Sequence, residues 1–340
     1  MSAADQKPAS TLWVVIAFAT VYLVWGSTYF FISVAVKAIP PMLVGAFRYL
    51  AAGLVMLLYC LVRREKVFVW KDIRPSVVSG LLLLFFGNGA LIWTEQYISS
   101  SLAAILLASG PVWFVLLDRR NWKVNLRSRE AIAGLVVGFA GVILLFGENL
   151  FHTTSAPGSG VETMGASAHT SAGWQLFVMV IVILASVSWA AGSLYSKYKA
   201  TGKSNAVNSG WQMLSAGIAF LPASLVSGEW SHFDASAVNF SAWMAVLYLV
   251  IMGSLAGYSA FTWLLKVRPA TQVSTHAYVN PVVAVLLGVF FGGEKMSALQ
   301  LSGLGIILIS VLLLNMVKYK TSTTPAARPQ EDKKGNLARV

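Results

Sequence analysis

Arg48 is the residue of this sequence most able to do chemistry, because it lies inside the apolar run 41–62. At a rise of 1.5 Å per residue, a helix that begins at Pro41 carries Arg48 roughly 10 Å along its axis. A guanidinium at that depth in a hydrocarbon layer costs several kcal/mol unless it has a partner. No Asp or Glu lies deep in an apolar run. Either a substrate anion balances the charge, which we slightly favour, or carbonyls and amides such as Asn88 and Gln212 do so in a structural role.

Histidine, amide and aromatic side chains inside the apolar runs are further candidates for a binding site. A histidine titrates near neutral pH, so His276 could couple transport to protons; a neutral His276, hydrogen-bonded inside the bundle, is the favoured alternative. Aromatic walls with a few amides suit an amphipathic organic solute better than a bare ion. Gln212 and Tyr278 are further amide and aromatic side chains inside apolar runs. The candidate substrate-binding residues are Arg48, Trp25, Tyr29, Asn88, Trp93, Trp189, Tyr195, Tyr258, Trp263, His276 and Asn280.

Two prolines, Pro111 and Pro281, lie well inside apolar runs. A proline there removes one helical hydrogen bond and frees the carbonyl four residues earlier, at Leu107 and Ala277. A static kink is one outcome. Because the two prolines recur at the same position of the two sequence halves described below, we favour a pair of hinges that move.

These residues belong to ten long apolar runs, each close to the ~20 residues that a helix needs to cross a hydrocarbon core. Hydrophobic residues make up 57% of the chain and charged residues only 11%, which excludes a soluble domain of this length. The sequence therefore predicts an all-α membrane protein with ten transmembrane helices. The predicted spans are 12–34, 41–62, 75–94, 98–117, 130–147, 173–194, 207–227, 241–263, 272–291 and 297–317.

Positive charge alternates between the gaps that separate these runs. Of the 25 Lys and Arg residues, all but Lys37, Arg48 and Lys295 lie before the first run, after the last run, or in every second gap. Short cytoplasmic loops carry such an excess of Lys and Arg. We therefore expect a multi-pass protein of the cell membrane with both termini in the cytoplasm.

The longest gap, 148–172, divides the chain into two halves of five spans that resemble each other. A shift of 170 residues superposes Trp93 on Trp263 and Pro111 on Pro281. Because five is odd, the second half enters the membrane in the opposite sense, which predicts two inverted five-helix repeats with a site near the midplane between them. The predicted units are a first repeat at 12–147, an outside linker at 148–172, a second repeat at 173–317 and a cytoplasmic tail at 318–340.

The sequence also excludes or disfavours several classes of function and partner. The lone Cys60 permits no disulfide within the chain, and no Walker A, G-x-S-x-G or H-E-x-x-H motif indicates an ATPase or a hydrolase. The net charge of +12 comes from loops beside spans, where it orients the protein and does not indicate nucleic-acid binding. We expect no metal and no cofactor. The patterns Gly134-x-x-x-Gly138 and Gly253-x-x-x-Gly257 predict close helix packing within one protomer, so a monomer is plausible.

Three functions remain to be compared. The first is a secondary transporter that exports small amphipathic metabolites, the second a channel or facilitator without alternating access, and the third an intramembrane enzyme. Inverted halves and paired prolines favour the transporter, because a pore does not require exchange between two packings. Arg48 and His276 alone are too few groups for catalysis, so we expect no enzyme. The expected partners are a small-molecule substrate and the lipid bilayer.

Several short stretches carry a resemblance to a known family. They are Trp25-Gly26-Ser27-Thr28-Tyr29, Ile39-Pro40-Pro41, Arg48-Tyr49-Leu50-Ala51-Ala52-Gly53, Trp93-Thr94-Glu95-Gln96-Tyr97, Pro111, Gly293-Glu294 and Gly303-Leu304. They resemble the EamA family of the drug/metabolite transporter superfamily, in particular its YedA- and PecM-like exporters. The resemblance covers both halves and implies ten helices in two EamA repeats, a central cavity, and export of small metabolites or amino-acid-like compounds, in a bacterium across the inner membrane. The segment Asp118-Arg119-Arg120-Asn121 departs from the family pattern, where a turn with Gly and Glu is more usual.

Overall fold

The computed structural model describes residues 10–94, 97, 100–152, 172–200, 204–292 and 297–316. This part of the chain is helical throughout and contains no strand, which confirms the predicted all-α class. Large apolar side chains stay exposed on the outside of the helices, such as Val62 at 82% and Val226 at 90%. Such a surface fits contact with lipid, since soluble monomers rarely expose large contiguous apolar patches. Most of the predicted linker and the tail fall outside the described residues.

The described residues form eleven helices that we number. In chain order they are α1 (Thr11–Val36), α2 (Pro41–Val62), α3 (Trp70–Thr94), α4 (Ser100–Leu107), α5 (Gly110–Leu117), α6 (Arg129–His152), α7 (Ala172–Lys199), α8 (Asn205–Val226), α9 (Phe240–Val267), α10 (His276–Gly292) and α11 (Ala298–Met316). Short helical turns lie at Arg119–Asn121, Trp122–Asn125, Glu229–His232 and Ala270–Val273.

Six of these helices, within the described ranges, are long and apolar enough to cross a membrane: α1, α2, α3, α7, α9 and α11. The remaining predicted spans coincide with helices that are shorter, bent or less apolar. The span predicted at 98–117 is broken between α4 and α5, and α6 follows a bend of 95° after the turn at 119–125. α3 begins at Trp70, before the predicted start at 75, because its first turn is polar and an apolar pattern does not detect it.

α3 and α9 each contain a π-helical segment, at Leu81–Gly89 and Leu249–Tyr258. In a π-helix each backbone N–H bonds five residues back, and such segments are frequent at functional sites. The apolar runs of the sequence did not predict either segment, because hydropathy is the same in an α- and a π-helical turn. The two segments lie at similar positions of the two halves.

In both π-helical segments a carbonyl accepts a hydrogen bond from a side chain of another helix. The Ser188 hydroxyl of α7 donates to the carbonyl of Leu82 at 2.8 Å, and the Trp25 indole N–H of α1 donates to the carbonyl of Gly253 at 3.0 Å. Backbone polar groups need such partners in the absence of water. These bonds tie α7 to α3 and α1 to α9.

α2 and α8 run antiparallel and touch through reciprocal glycine contacts. A Cβ added to Gly53 would lie 2.5 Å from the backbone nitrogen of Leu214, and one added to Gly217 would lie 2.6 Å from the backbone nitrogen of Leu50. Neither position has room for a larger residue, so glycine lets the two backbones approach. The same Leu-x-x-Gly pattern therefore makes the contact from both sides.

α6 and α11 repeat this arrangement with a different spacing. A Cβ on Gly141 would lie 3.0 Å from the backbone nitrogen of Ile307, and one on Gly303 would lie 2.6 Å from the backbone nitrogen of Leu145. Here Gly-x-x-x-Leu of α6 meets Gly-x-x-x-Ile of α11. In each of the two helix pairs, one helix comes from each half of the chain, and a glycine of each helix approaches the backbone of the other.

Both small-residue patterns singled out in the sequence pack within the chain, as predicted. Gly134 faces Leu314 of α11, and a Cβ on Gly253 would lie 2.9 Å from Nη2 of Arg48 in α2. α1 packs against α9 and α10, while α7 packs against α3, α4 and α5. The helices around these contacts enclose the cavity described next.

Candidate functional site

A cavity of about 120 Å³ lies between the π-helical segments of α3 and α9 and the facing parts of α1, α2, α4, α5, α7 and α10. It has room for several waters or a small organic solute. Most of the predicted binding residues meet there. Those that line the cavity are Trp25, Tyr29, Arg48, Asn88, Trp189, Tyr258, His276 and Asn280.

Three predicted binding residues, Trp93, Tyr195 and Trp263, do not line this cavity. The Trp93 ring packs near Tyr97 and Trp174, with ring centroids 4.9 and 6.3 Å away. Trp263 packs against the core on α9, and Tyr195 lies near the end of α7. Trp93 and Trp263, which are equivalent in the two sequence halves, therefore both lie outside the lining of the cavity.

Arg48 is buried at 5% exposure and lines the cavity. Its Nε atom donates a hydrogen bond to the Ser254 hydroxyl at 2.8 Å, and its Cζ atom lies 4.9 Å from the centroid of the Tyr49 ring. No Asp or Glu occurs among the described residues that line the cavity. The cavity is therefore positively charged without a counter-ion of its own, which favours an anionic group there.

The amides proposed as partners of Arg48 are bonded elsewhere. Oδ1 of Asn88 accepts a hydrogen bond from the Tyr49 hydroxyl at 3.1 Å. Gln212 is fully buried and bonds three groups from three other helices: Ser79, Ser196 and Tyr258. Within the described residues neither amide forms a hydrogen bond with Arg48, so these bonds do not support the alternative in which Asn88 and Gln212 balance the guanidinium.

Trp25 packs against α9 and against the other aromatic rings at the cavity. A Cβ added to Gly257 would lie 2.7 Å from Nε1 of Trp25, so the small residue lets the indole lie against α9. The ring also contacts Trp189 edge-on, with centroids 5.5 Å apart, and Phe261 at 5.0 Å. These contacts fix the indole as a rigid wall.

His276 lies at the first position of α10 and is 8% exposed. Neither ring nitrogen has a hydrogen-bond partner within the described residues, and the same holds for Nε1 of Trp189 and Oδ1 of Asn280. The prediction of a hydrogen-bonded histidine is therefore wrong. The ring is held instead by edge contacts to Trp25 and Phe261 at 5.1 and 5.3 Å.

Sequence reasoning missed Tyr49, Ser254 and Ser186, which contact Arg48 or line the cavity. Ser254 follows Gly253 of the glycine pattern, so that pattern could have placed α9 against α2. Ser186 and Tyr49 carry no comparable signal, since serine and tyrosine are common in membrane helices. No group of three or more His, Cys, Asp or Glu side chains within the described residues could hold a metal ion.

The two prolines differ in their local structure. Pro111 lies in the first turn of α5, directly after the break at Ala108 and Ser109, whereas Pro281 lies inside α10. The break near α10 lies earlier, at Ser274 and Thr275. The same sequence position therefore gives an interrupted helix in one half and a continuous helix in the other.

Comparison with known proteins assigns the family. The model of the EamA-like transporter family matches residues 12–147 and 176–316. The uncharacterized inner membrane transporter YedA of Escherichia coli K12 is 34% identical over 317 residues, which cover 92% of this chain and 94% of the relative. The uncharacterized transporter YvbV of Bacillus subtilis is 25% identical over 315 residues, covering 91% of this chain and 93% of the relative.

A solved crystal structure shares the fold. It superposes with a TM-score of 0.67 at 20% identity and covers 89% of this chain and 96% of its own. The matches span nearly the whole chain, and members of the family are transporters, not enzymes. The chain therefore belongs to the EamA-like transporter family and is a multi-pass membrane protein.

Proposed function

We propose that this chain is a secondary transporter that exports small amphipathic metabolites, including organic acids and amino-acid-like compounds, by alternating access. The proposal rests on the position of Arg48. This residue is buried at the cavity, and no Asp or Glu lines the cavity within the described residues. A substrate carboxylate would supply the missing charge. The planar guanidinium can bind it through two parallel hydrogen bonds.

The proposed topology has ten transmembrane helices in two inverted five-helix repeats, at 12–147 and 173–317. The outside linker is 148–172, and the tail 318–340 lies in the cytoplasm. Two observations support it: the family model matches the chain in two separate segments, and α2 with α8 and α6 with α11 make reciprocal glycine contacts. Reciprocal contacts are what a pseudo-two-fold axis between the halves requires.

Alternating access follows from that topology, because two copies of one packing plan can exchange roles. The interruption between α4 and α5 and the π-helical segments of α3 and α9 border the cavity. Irregular backbone beside a midplane site is typical of secondary transporters. A facilitator or channel, or an importer of the same superfamily, would use the same cavity and differ in coupling or direction.

The test uses purified protein in proteoliposomes and a mixed panel of anionic, zwitterionic, cationic and neutral solutes. The variants are Arg48→Lys, which keeps the charge, Arg48→Gln, which removes it, and Arg63→Lys as a control at the exposed end of the same helix. We expect Arg48→Lys to assemble normally. Its affinity should fall about tenfold for solutes that carry a carboxylate and stay unchanged for the other solutes. Arg63→Lys should transport as the parent does.

Two outcomes would overturn the proposal. Equal loss of thermal stability and of transport of every solute in both Arg48 variants would make Arg48 structural. Transport that never exceeds equilibration, at any ion gradient, would make the protein a facilitator. Comparing right-side-out with everted vesicles separates export from import, and accumulation only in everted vesicles is the expected result.

A further inference from the structure

The cavity has a second polar region besides Arg48. Nε1 of Trp189, both ring nitrogens of His276 and Oδ1 of Asn280 are buried without hydrogen-bond partners in the described part of the chain. His276 and Asn280 are 8% and 5% exposed, and all three residues line the cavity. Together they comprise an N–H donor, a carbonyl acceptor and an imidazole that offers one of each.

Two tyrosine hydroxyls at the same cavity do have hydrogen-bond partners within the described residues. The Tyr49 hydroxyl bonds Asn88, and the Tyr258 hydroxyl bonds Gln212 at 2.9 Å. Buried polar atoms left without partners are costly, and native structures retain few of them. A group of them on one wall of a cavity therefore marks where a ligand binds.

Trp25 contacts this polar region and also the backbone next to Arg48. Its indole N–H bonds the carbonyl of Gly253, the residue that approaches Nη2 of Arg48, while its ring meets His276 edge-on with centroids 5.1 Å apart. The lining of the cavity thus contains a cationic group, at Arg48, and a separate group of uncharged hydrogen-bonding atoms, at Trp189, His276 and Asn280. No Asp or Glu lines the cavity within the described residues, so an ammonium group has no counter-ion there.

We propose that Trp189, His276 and Asn280 form an uncharged hydrogen-bonding subsite, and that the substrate is an organic acid whose other end carries a carboxamide or hydroxyl group. This inference rests on the proposed function, in which Arg48 binds the carboxylate. A carboxamide presents both a carbonyl and an N–H₂ group, which match the acceptor and donors of the subsite. An apolar end of the same size would leave those protein atoms unpaired.

The test compares two probe solutes with the same number of non-hydrogen atoms. Succinamate ends in a carboxamide, and 4-methylpentanoate replaces that group by an isopropyl group. Binding is measured as the ligand-induced rise in unfolding temperature of the purified protein, and as competition in proteoliposome uptake. We expect the parent protein to bind succinamate at least about tenfold more tightly.

Three variants remove the polar atoms: His276→Phe and Asn280→Leu, which keep the side-chain size approximately, and Trp189→Phe, which replaces two fused rings by one. We expect each to reduce the preference for succinamate by about threefold or more, without weaker binding of 4-methylpentanoate. Asn315→Leu is the control, because the Asn315 amide bonds only its own helix at Val311. It should leave the preference unchanged.

The parent protein alone can refute the subsite. Equal affinity for the two solutes, each still dependent on Arg48, would mean that the unpaired atoms bind water only, and the proposed function would survive. Binding of neither solute, together with no Arg48-dependent transport of any organic acid, would instead refute the proposed function. A variant that loses both solutes and its unfolding transition reports misfolding, and Asn280→Leu, the change that best keeps the side-chain shape, then decides.

Discussion

The Nε atom of Arg48 donates a hydrogen bond to the hydroxyl of Ser254 at 2.8 Å. This bond joins α2 in the first half of the chain to the π-helical segment of α9 in the second. It uses the donor nearest the side-chain stem and fixes the plane of the guanidinium. Within the described residues Nη1 and Nη2 make no hydrogen bond, so they remain available to a ligand.

Ser254→Ala is expected to raise the KM for organic acids about three- to tenfold with little change in maximal rate, because the guanidinium loses its orientation and not its charge. Ser254→Thr, which keeps the hydroxyl, should restore most of the affinity. Ser302→Ala, in which an exposed hydroxyl bonds only Ala298 of its own helix, is the control. If Thr and Ala behave alike in uptake kinetics, Ser254 does not position Arg48.

Composition and the length of the apolar runs predicted the fold class, because both depend on the membrane as a solvent. Every predicted span coincides with a helix or a broken helix, and Arg48 stands out because a charge is costly in hydrocarbon. The family of the chain was also readable from short stretches around Trp25 and Arg48. These features are properties of the chain and its solvent, so no knowledge of the packing is needed.

The internal partners of the site could not be predicted, because they depend on distances between helices. Gln212 and Asn280 are both amides inside apolar runs, yet one is fully bonded and the other has an unpaired oxygen. Likewise Trp93 and Trp189 are both tryptophans inside apolar runs, and of the two only Trp189 lines the cavity. The π-helical segments were not predicted, because an apolar run indicates a helix but not whether its hydrogen bonds reach four or five residues back.

Gln212→Leu should destabilise the folded protein by about 2–4 kcal/mol, because it removes the partner of the Ser196 and Tyr258 hydroxyls in the core and a donor to Ser79. Tyr258→Phe removes one of these bonds and should cost about 1 kcal/mol. Unfolding of the purified protein in detergent, followed by circular dichroism, measures both. The matched control is Gln175→Leu on the exposed face of α7. A Gln212 variant as stable as this control would contradict the structural role.

The surroundings of Glu229, which lies outside the apolar spans, predict that the stability of the folded protein depends on pH. Its carboxylate accepts hydrogen bonds from the backbone N–H groups of Met42 and Leu43, in the first turn of α2, at 3.1 and 3.0 Å. Burial raises the pKa of Glu229 above its ordinary 4.5, against the lowering effect of these two bonds. The folded state therefore holds this proton to higher pH than the unfolded state, so the contribution of Glu229 to stability falls as pH rises through that window.

The test compares the parent protein with Glu229→Gln, which cannot ionise. From pH 4.5 upward, the stability of the parent relative to the variant should fall by less than about 1 kcal/mol, because the side chain is partly exposed, and then level off. Thermal unfolding across that pH range measures the difference. A relative stability of the parent that rises with pH would mean that capping of α2 by the ionised carboxylate outweighs the cost of burial.

The proposed orientation predicts where fused reporters are active. A reporter that works only in the cytoplasm should be active when fused after Val340 and inactive when inserted within residues 153–168. The physical basis is the concentration of Lys and Arg in every second gap. Activity of the insertion at 153–168 alone would reverse the topology, and activity at both sites would contradict an odd number of spans in the second half.

Pro281→Ala should stabilise α10 and slow transport. Proline at 281 denies the carbonyl of Ala277, which lines the cavity, its helical donor, and alanine restores that bond. The restored hydrogen bond should raise the unfolding temperature and stabilise the protein by about 1 kcal/mol or more. Because the transport cycle uses a bend that the straighter helix forms less easily, the transport rate should fall at least about threefold. Pro111→Ala should change stability less, because the first turn of α5 lacks helical acceptors for its N–H groups.

Pro222 supplies the matched control for these variants. It lies inside α8, is exposed, and does not line the cavity, so Pro222→Ala should stabilise its helix without slowing transport. Rates in proteoliposomes are compared at equal amounts of folded protein, which separates movement from assembly. If Pro281→Ala transports at the parental rate while its unfolding temperature rises as that of Pro222→Ala does, the bend in α10 is static and the hinge hypothesis fails. Slower transport in Pro281→Ala alone would locate the movement at the wall that carries His276 and Asn280.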